Sequence, residues 1–230
     1  MTILTIGHST RSLDDFIALL HSHGINRLAD IRTVPKSRRH PHFAGDALAR
    51  SLPTEDVAYR HFPGLGGLRK PKRNSTNTGW RHEGFRGYAD YMQTAEFARA
   101  LEELIGWAHG GPERAAPQLD NDVMRVERAA PQLDNNVMRV ERAAPQQHEG
   151  VARADGAVPP GNVARAFQAR VAIMCAEALW WRCHRQLVAD ALIARGIKVR
   201  HIASASSAPL HTVTDFARVD AGRVSYPGLL

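Results

Sequence analysis

The stretch "TILTIGHSTRSLDDFIALLHSHGINRLADIR" (Thr2 to Arg32) decides the fold class. It opens with a short β-rich run, Thr2 to Gly7, that ends in glycine. Ser12 then stands as a helix N-cap with Asp15 three residues on, Phe16, Leu19 and Leu20 share one face, and Gly24 is the stop. "INRLADIR" (Ile25 to Arg32) reads as a second strand. A strand, a helix and a strand in immediate succession form the repeating unit of a parallel sheet.

The alternation continues outward from there. "VAYRHFP" (Val57 to Pro63) reads as a third strand, and a long helix is expected from about Tyr88 to Trp107. Val171 to Cys175 is a fourth strand, about Cys183 to Arg195 a helix, and Lys198 to Ile202 a fifth strand. The pattern predicts an α/β fold: a single domain whose central, mainly parallel β-sheet is flanked by helices in a Rossmann-like three-layer arrangement. The tail "VTDFARVDAGRVSYP" is expected to add an edge strand or a hairpin.

A repeat interrupts this pattern. "ERAAPQLDNDVMRV" (Glu113 to Val126) is followed by "ERAAPQLDNNVMRV" (Glu127 to Val140), and a degraded third copy ends at Ala154. Solenoid units run to about 20 residues or more and need a broad apolar face, which these proline-bearing copies lack. Residues 110–162 are therefore expected to be a low-complexity, mobile insertion, with 1–109 and 163–230 forming one α/β domain.

Composition bounds the function. The chain has 230 residues, 43% of them hydrophobic, enough for one full core. No run approaches the roughly 18 apolar residues of a membrane span, and the N-terminus lacks the pattern of a signal peptide. Two cysteines are too few for a disulfide scaffold, so a cytoplasmic protein with reduced thiols and no membrane partner is expected. The net charge is +7, and its surplus lies in one stretch: Arg32 to Arg86 holds twelve Lys or Arg against four acids. Such a stretch attracts phosphates, pointing to an anionic small molecule or a nucleic acid as partner.

In open α/β sheets, ligands bind beyond the carboxyl ends of the strands. The first strand ends in Gly7, His8 and Ser9, and the second delivers Asp30 and Arg32, then Ser37 and Arg38. The third runs through Tyr59 into "PGLGG", where Gly66 and Gly67 admit a close backbone approach. The fourth delivers Cys175 and Glu177, and the fifth His201. The polar residues thus gather on one rim while the strand bodies are aliphatic. No P-loop, nucleophile elbow or dinucleotide fingerprint accompanies them.

"TIGHS", "DIRTVPKSRRHPHF", "YRHFPGLGG", "GYADYM", "MCAEALWWRCHR" and "VRHI" together resemble the DUF488 family, a domain of unknown function. The resemblance spans about Thr2 to Gly106 and Val171 to Tyr226, leaving out the repeats. It implies a compact α/β fold and marks these motif residues as the site.

Four chemistries compete for "CAEALWWRCHR". A metal site is disfavoured because Cys175 and Cys183 are eight apart and the neighbours Cys183 and His184 are expected to face apart, so no metal ligand is assigned. A phosphatase loop needs an arginine one position earlier than Arg182, and a redox pair favours Cys-x-x-Cys. Anion binding with acid/base catalysis remains: Arg182, His184 and Arg185 at a helix N-terminus, with Glu177 and His184 to move protons. The competing structural reading is a buried Glu177–Arg ion pair, with the cysteines as packing. Trp80, Phe85, Tyr88 and Tyr91 lie close after a second basic cluster, Arg69, Lys70, Lys72 and Arg73, where they would stack on bases or else belong to an amphipathic helix.

The sequence thus points to an enzyme acting on a phosphate-bearing substrate such as a nucleotide or nucleic acid. His8, Asp30, Glu177, His184 and Cys175 are its candidate catalytic groups. Ser9, Arg32, Ser37, Arg38, Tyr59, Gly66, Gly67, Tyr88 and Arg185 would bind the anion, and no cofactor is assigned. The alternatives are a non-catalytic nucleotide- or nucleic-acid-binding module and a thiol-dependent enzyme using Cys175.

Overall fold

The structure, a computed structural model, describes residues 1–36, 38–111 and 169–228. Ser37 and the three repeats lie outside the described residues.

Five strands form one sheet: β1 (Thr2–Gly7), β2 (Arg27–Asp30), β3 (Ala58–His61), β4 (Val171–Cys175) and β5 (Lys198–His201). Their order is β3-β2-β4-β1-β5, and every pairing is parallel. The central strand is β4, whose Val171, Ala172, Ile173 and Met174 are all buried, as a strand covered on both faces requires. Side chains alternate between two cores. Ile3, Ala29, Ile31, Val171, Ile173 and Val199 pack on one face with α4 (Ala95–Ala108) and α5 (Arg185–Ile193). Leu4, Ile6, Leu28, Ala172 and Met174 pack on the other with α1 (Leu13–Ser22) and Leu48 of α2 (Gly45–Ser51). This is the expected three-layer α/β arrangement.

Local signals set the boundaries. Ser12 accepts a hydrogen bond from the Asp15 amide at 3.1 Å, and Gly24, at φ +62°, ends the turn after α1. The single helix expected over Tyr88 to Trp107 is two: α3 (Glu83–Tyr91) and α4. Thr94 is extended, and its hydroxyl accepts from the Phe97 amide, so the chain stops and nucleates afresh there. The tail forms a hairpin of β6 (Arg218–Asp220) and β7 (Arg223–Ser225), separate from the main sheet, with positive φ at Ala221 and Gly222.

A buried polar chain fastens this tail to the sheet. Thr5 Oγ1 meets His201 Nδ1 at 2.8 Å, His201 Nε2 meets His211 Nδ1 at 2.9 Å, and His211 Nε2 meets Asp190 at 2.8 Å. Asp190 also accepts from Thr214 and Tyr226 hydroxyls. Trp180 lies flat on His201, ring centres 3.9 Å apart. Burial, then the charges of His211 and Arg185, push His201 down to about 3. Because the folded imidazole stays neutral while the unfolded one protonates near 6.5, the unfolded chain binds the extra proton between these values. Stability is therefore expected to fall as pH drops from about 6.5 toward 3. Urea midpoints measured across that range should fall less steeply for His201→Gln than for the parent.

Candidate anion-binding and catalytic cleft

The parallel register sets Gly7 beside Cys175 and Asp30 beside Met174, so the carboxyl ends of β1, β4 and β2 are level. A cleft of about 690 Å³ lies beyond them. His8, Ser9 and Thr10 enter it after β1, and Cys175 through Ala178 after β4. Arg32, Thr33, Val34, Lys36, Arg38, Arg39 and His40 enter after β2. Gly67, Leu68 and His184 close the remaining side.

The polar floor is built on Asp30. Its fully buried carboxylate accepts from Arg32 through Nε at 2.9 Å, Nη2 at 2.5 Å and the backbone amide at 3.0 Å, and from the Tyr59 hydroxyl at 2.8 Å. Burial opposes the guanidinium charge of Arg32, but the hydrogen bond and charge of Asp30 outweigh it and raise its pKa. Burial, then the same carboxylate, raises the Tyr59 hydroxyl, which therefore stays a donor. Arg32 is left with Nη1, which lies 3.4 Å from His8 Nε2.

His8 stacks on Phe43 with ring centres 4.2 Å apart. Its Nδ1 lies 2.9 Å from the Ser9 carbonyl, which can only accept, so Nδ1 carries the proton and Nε2 the lone pair. Burial, partly offset by that bond, pushes His8 down to about 4, with Arg32 lowering it further. The imidazole is thus neutral at physiological pH, with its basic nitrogen facing Arg32.

The turn after β4 passes hard against β1. A Cβ at Gly7 would overlap the Glu177 carbonyl oxygen, and the His8 and Ser9 amides donate to the Cys175 and Ala176 carbonyls at 3.0 and 2.9 Å. Arg185, expected to face the anion, is buried behind this turn. Its Nη2 donates to the Glu177 and Ala178 carbonyls, so it fastens the turn and does not line the cleft. The Glu177–Arg ion pair weighed from the sequence is replaced by this contact to the carbonyl. The Glu177 carboxylate is exposed in the cleft and accepts from the Leu179 amide at 3.2 Å.

The two thiols and the imidazole of His184 converge, contrary to what their spacing suggested. Cys175 Sγ, Cys183 Sγ and a ring nitrogen of His184 all lie within 4.8 Å of one another. Cys183 is extended (φ −131°, ψ 149°) and His184 helical (φ −56°, ψ −13°), and this bend turns neighbouring side chains to the same side. Cys183 Sγ is 3.6 Å from His184 Nδ1, while His184 Nε2 is 3.1 Å from the Ile31 carbonyl. The Cys183 thiol is pushed below its ordinary range, first by the hydrogen bond it accepts from Cys175, with His184 and Arg185 adding to it and burial opposing.

Other expected contributors lie elsewhere. Tyr88 is buried in the core with its hydroxyl on the Leu65 carbonyl at 2.7 Å, and the cleft lining does not include it. Trp80 stacks on Phe85 at 4.7 Å against Tyr226, and the Tyr91 hydroxyl reaches the Gly64 carbonyl under Arg69. Tyr88 and Tyr91 thus belong to the core, Trp80 and Phe85 pack half-buried against it, and none of the four lines the cleft. Gly66 sits against Thr33, outside the lining, and Tyr59 acts through Asp30. Thr10 and Leu68 belong to the rim without any motif to announce them; Leu68 is 89% exposed at φ +59°.

The family model "Domain of unknown function DUF488" matches residues 12–113 and 161–192, more than half of the chain, and the chain belongs to that family. The matched span carries Asp30, Arg32, Cys175, Glu177 and His184, while His8 precedes it and β5 follows it. No curated protein and no solved structure matches the chain.

The close approach at Gly7 yields a test of the cleft's construction. Gly7→Ala should lower stability by about 1–3 kcal/mol in urea unfolding, because backbone, not a flexible side chain, occupies the space. An unchanged midpoint would show that the turn after β4 does not pack on β1 as described.

Proposed function

We propose that this DUF488 protein is an enzyme whose cleft takes a phosphate-bearing substrate of about nucleotide size. The observation that carries the reading is the charge of the cleft: beyond the Arg32–Asp30 pair of its floor, Lys36, Arg38 and Arg39 face it, against the carboxylate of Glu177 among the described lining residues. Its volume falls within the roughly 300–1,000 Å³ of small-molecule sites, which favours a mononucleotide or one terminal nucleotide of a strand over a duplex. Arg32 is held in one orientation by Asp30, so its Nη1 meets an anion without first losing side-chain freedom. Lys36, Arg38 and Arg39 are exposed and supply attraction at the mouth.

Proton transfer in this reading belongs to His8 and Glu177. His8 is neutral with Nε2 as the basic atom, adjacent to the guanidinium that holds the anion. An anion on Arg32 Nη1 draws that donor from His8 and leaves Nε2 free to accept a proton from the attacking group. Glu177, exposed across the cleft, serves as the second proton-transfer group.

The triple variant Lys36→Ala, Arg38→Ala, Arg39→Ala tests anion binding without disturbing the buried floor. Titrating labelled adenosine monophosphate and a short single strand, it should bind at least about tenfold more weakly than the parent, with a shallower salt slope. Equal affinity would contradict the reading. His8→Gln should keep affinity yet lose turnover in a phosphate-release assay over a nucleotide panel. Binding without turnover by the parent itself would favour the non-catalytic module.

A further inference from the structure

We propose that Cys175, Cys183 and His184 form a three-ligand site for a divalent, thiolate-preferring cation of the zinc class. The three donor atoms lie within 4.8 Å of one another at the end of β4. Zinc bound tetrahedrally, with zinc–sulfur near 2.3 Å and zinc–nitrogen near 2.0–2.1 Å, places a sulfur and a nitrogen about 3.6 Å apart. The Cys183 Sγ to His184 Nδ1 separation is 3.6 Å. Sulfurs on such an ion stand about 3.8 Å apart, so even the widest pair would close by no more than about 1 Å.

The imidazole is already set for this role. Its Nε2 faces the Ile31 carbonyl at 3.1 Å, an acceptor, so Nε2 carries the proton and Nδ1 presents its lone pair toward the thiols. Metal-binding histidines are oriented in this way, with the distal N–H donated to a backbone carbonyl. Gly67 is the matching feature on the other side: a Cβ there would lie 3.0 Å from Nδ1, so any larger residue would crowd the donor.

Charge balance also favours the ion. Two thiolates and a neutral imidazole offset a dication, leaving the site neutral beside the buried guanidinium of Arg185. Binding releases the thiol protons to solvent. Cys175 and His184 both line the cleft, so the fourth position opens toward it, as in zinc sites that keep a vertex for water or substrate. The cation would thus sit as a Lewis acid at the end of the cleft. The site stands independently of what the cleft binds, since its donors are fixed by the fold alone.

The test uses the full chain, reduced and stripped with a chelator, then titrated with cobalt(II). Saturation is expected at one equivalent, with a thiolate-to-cobalt charge-transfer band and the intense visible bands of four-coordinate cobalt. Cys175→Ser, Cys183→Ser and His184→Gln should each weaken cobalt binding by more than the roughly 10–100-fold that a lost outer-shell partner costs. Because Cys183 is buried and its replacement by serine places a hydroxyl in the core, X-ray absorption on the zinc-loaded parent supplies a readout independent of that variant's folding, expected to show two sulfurs near 2.3 Å and one imidazole nitrogen. No thiolate band, a band indifferent to Cys175, or a Cys175–Cys183 disulfide that forms in air equally fast with zinc present would overturn the proposal.

Discussion

Everything at the cleft depends on β4 lying between β1 and β2 and pairing with both. Chain segments around His8, Arg32 and Cys175 are far apart in sequence, and only this insertion makes their ends neighbours. The insertion demands a strand apolar on both faces, which Val171 to Met174 supply, and a β1 that ends without a side chain. Gly7 meets the second demand, since the turn after β4 occupies the space of its missing Cβ. Arg185 then ties that turn down through two carbonyls, so a cation that reads as a ligand is spent on holding backbone.

The floor of the cleft shows the same economy in its charges. Burying Asp30 beside Arg32 costs desolvation of both ions, and the cost is offset only because the carboxylate is satisfied by three donors of Arg32 and the Tyr59 hydroxyl. The result is a guanidinium with one edge committed and one nitrogen presented to the cleft. His8, neutral beside it, turns its basic nitrogen toward that guanidinium, and the exposed Lys36, Arg38 and Arg39 line the same cleft. Removing Arg32 would therefore confound binding with the penalty of an unpaired buried carboxylate, whereas Lys36, Arg38 and Arg39 report on binding alone.

The sheet was legible because its strands are short aliphatic runs ending in glycine or in polar residues, and because Ser12 and Gly24 punctuate the first helix. The rim was legible for His8, Ser9, Arg32, Arg38, Gly67, Cys175, Glu177 and His184, all of which line the cleft. What escaped the sequence was direction. Tyr88 and Arg185 carry the right chemistry but point into the core, and that choice is made by packing on α3, α5 and the turn after β4. The convergence of Cys183 and His184 with Cys175 hung on one change of backbone conformation between neighbours, which no spacing rule encodes. The break at Thr94 was visible in principle, as a threonine able to cap the amide three residues on, but apolar periodicity on both sides masked it.

If β4 gathers the strand ends into one anion site, a crystal structure of the full chain with adenosine monophosphate will show it. A phosphate group is expected beyond β1, β2 and β4, within hydrogen-bond distance of Arg32 Nη1 and reached by Arg38 or Lys36. Nucleotide bound instead along Arg69 to Arg73, with the cleft holding only solvent, would contradict it.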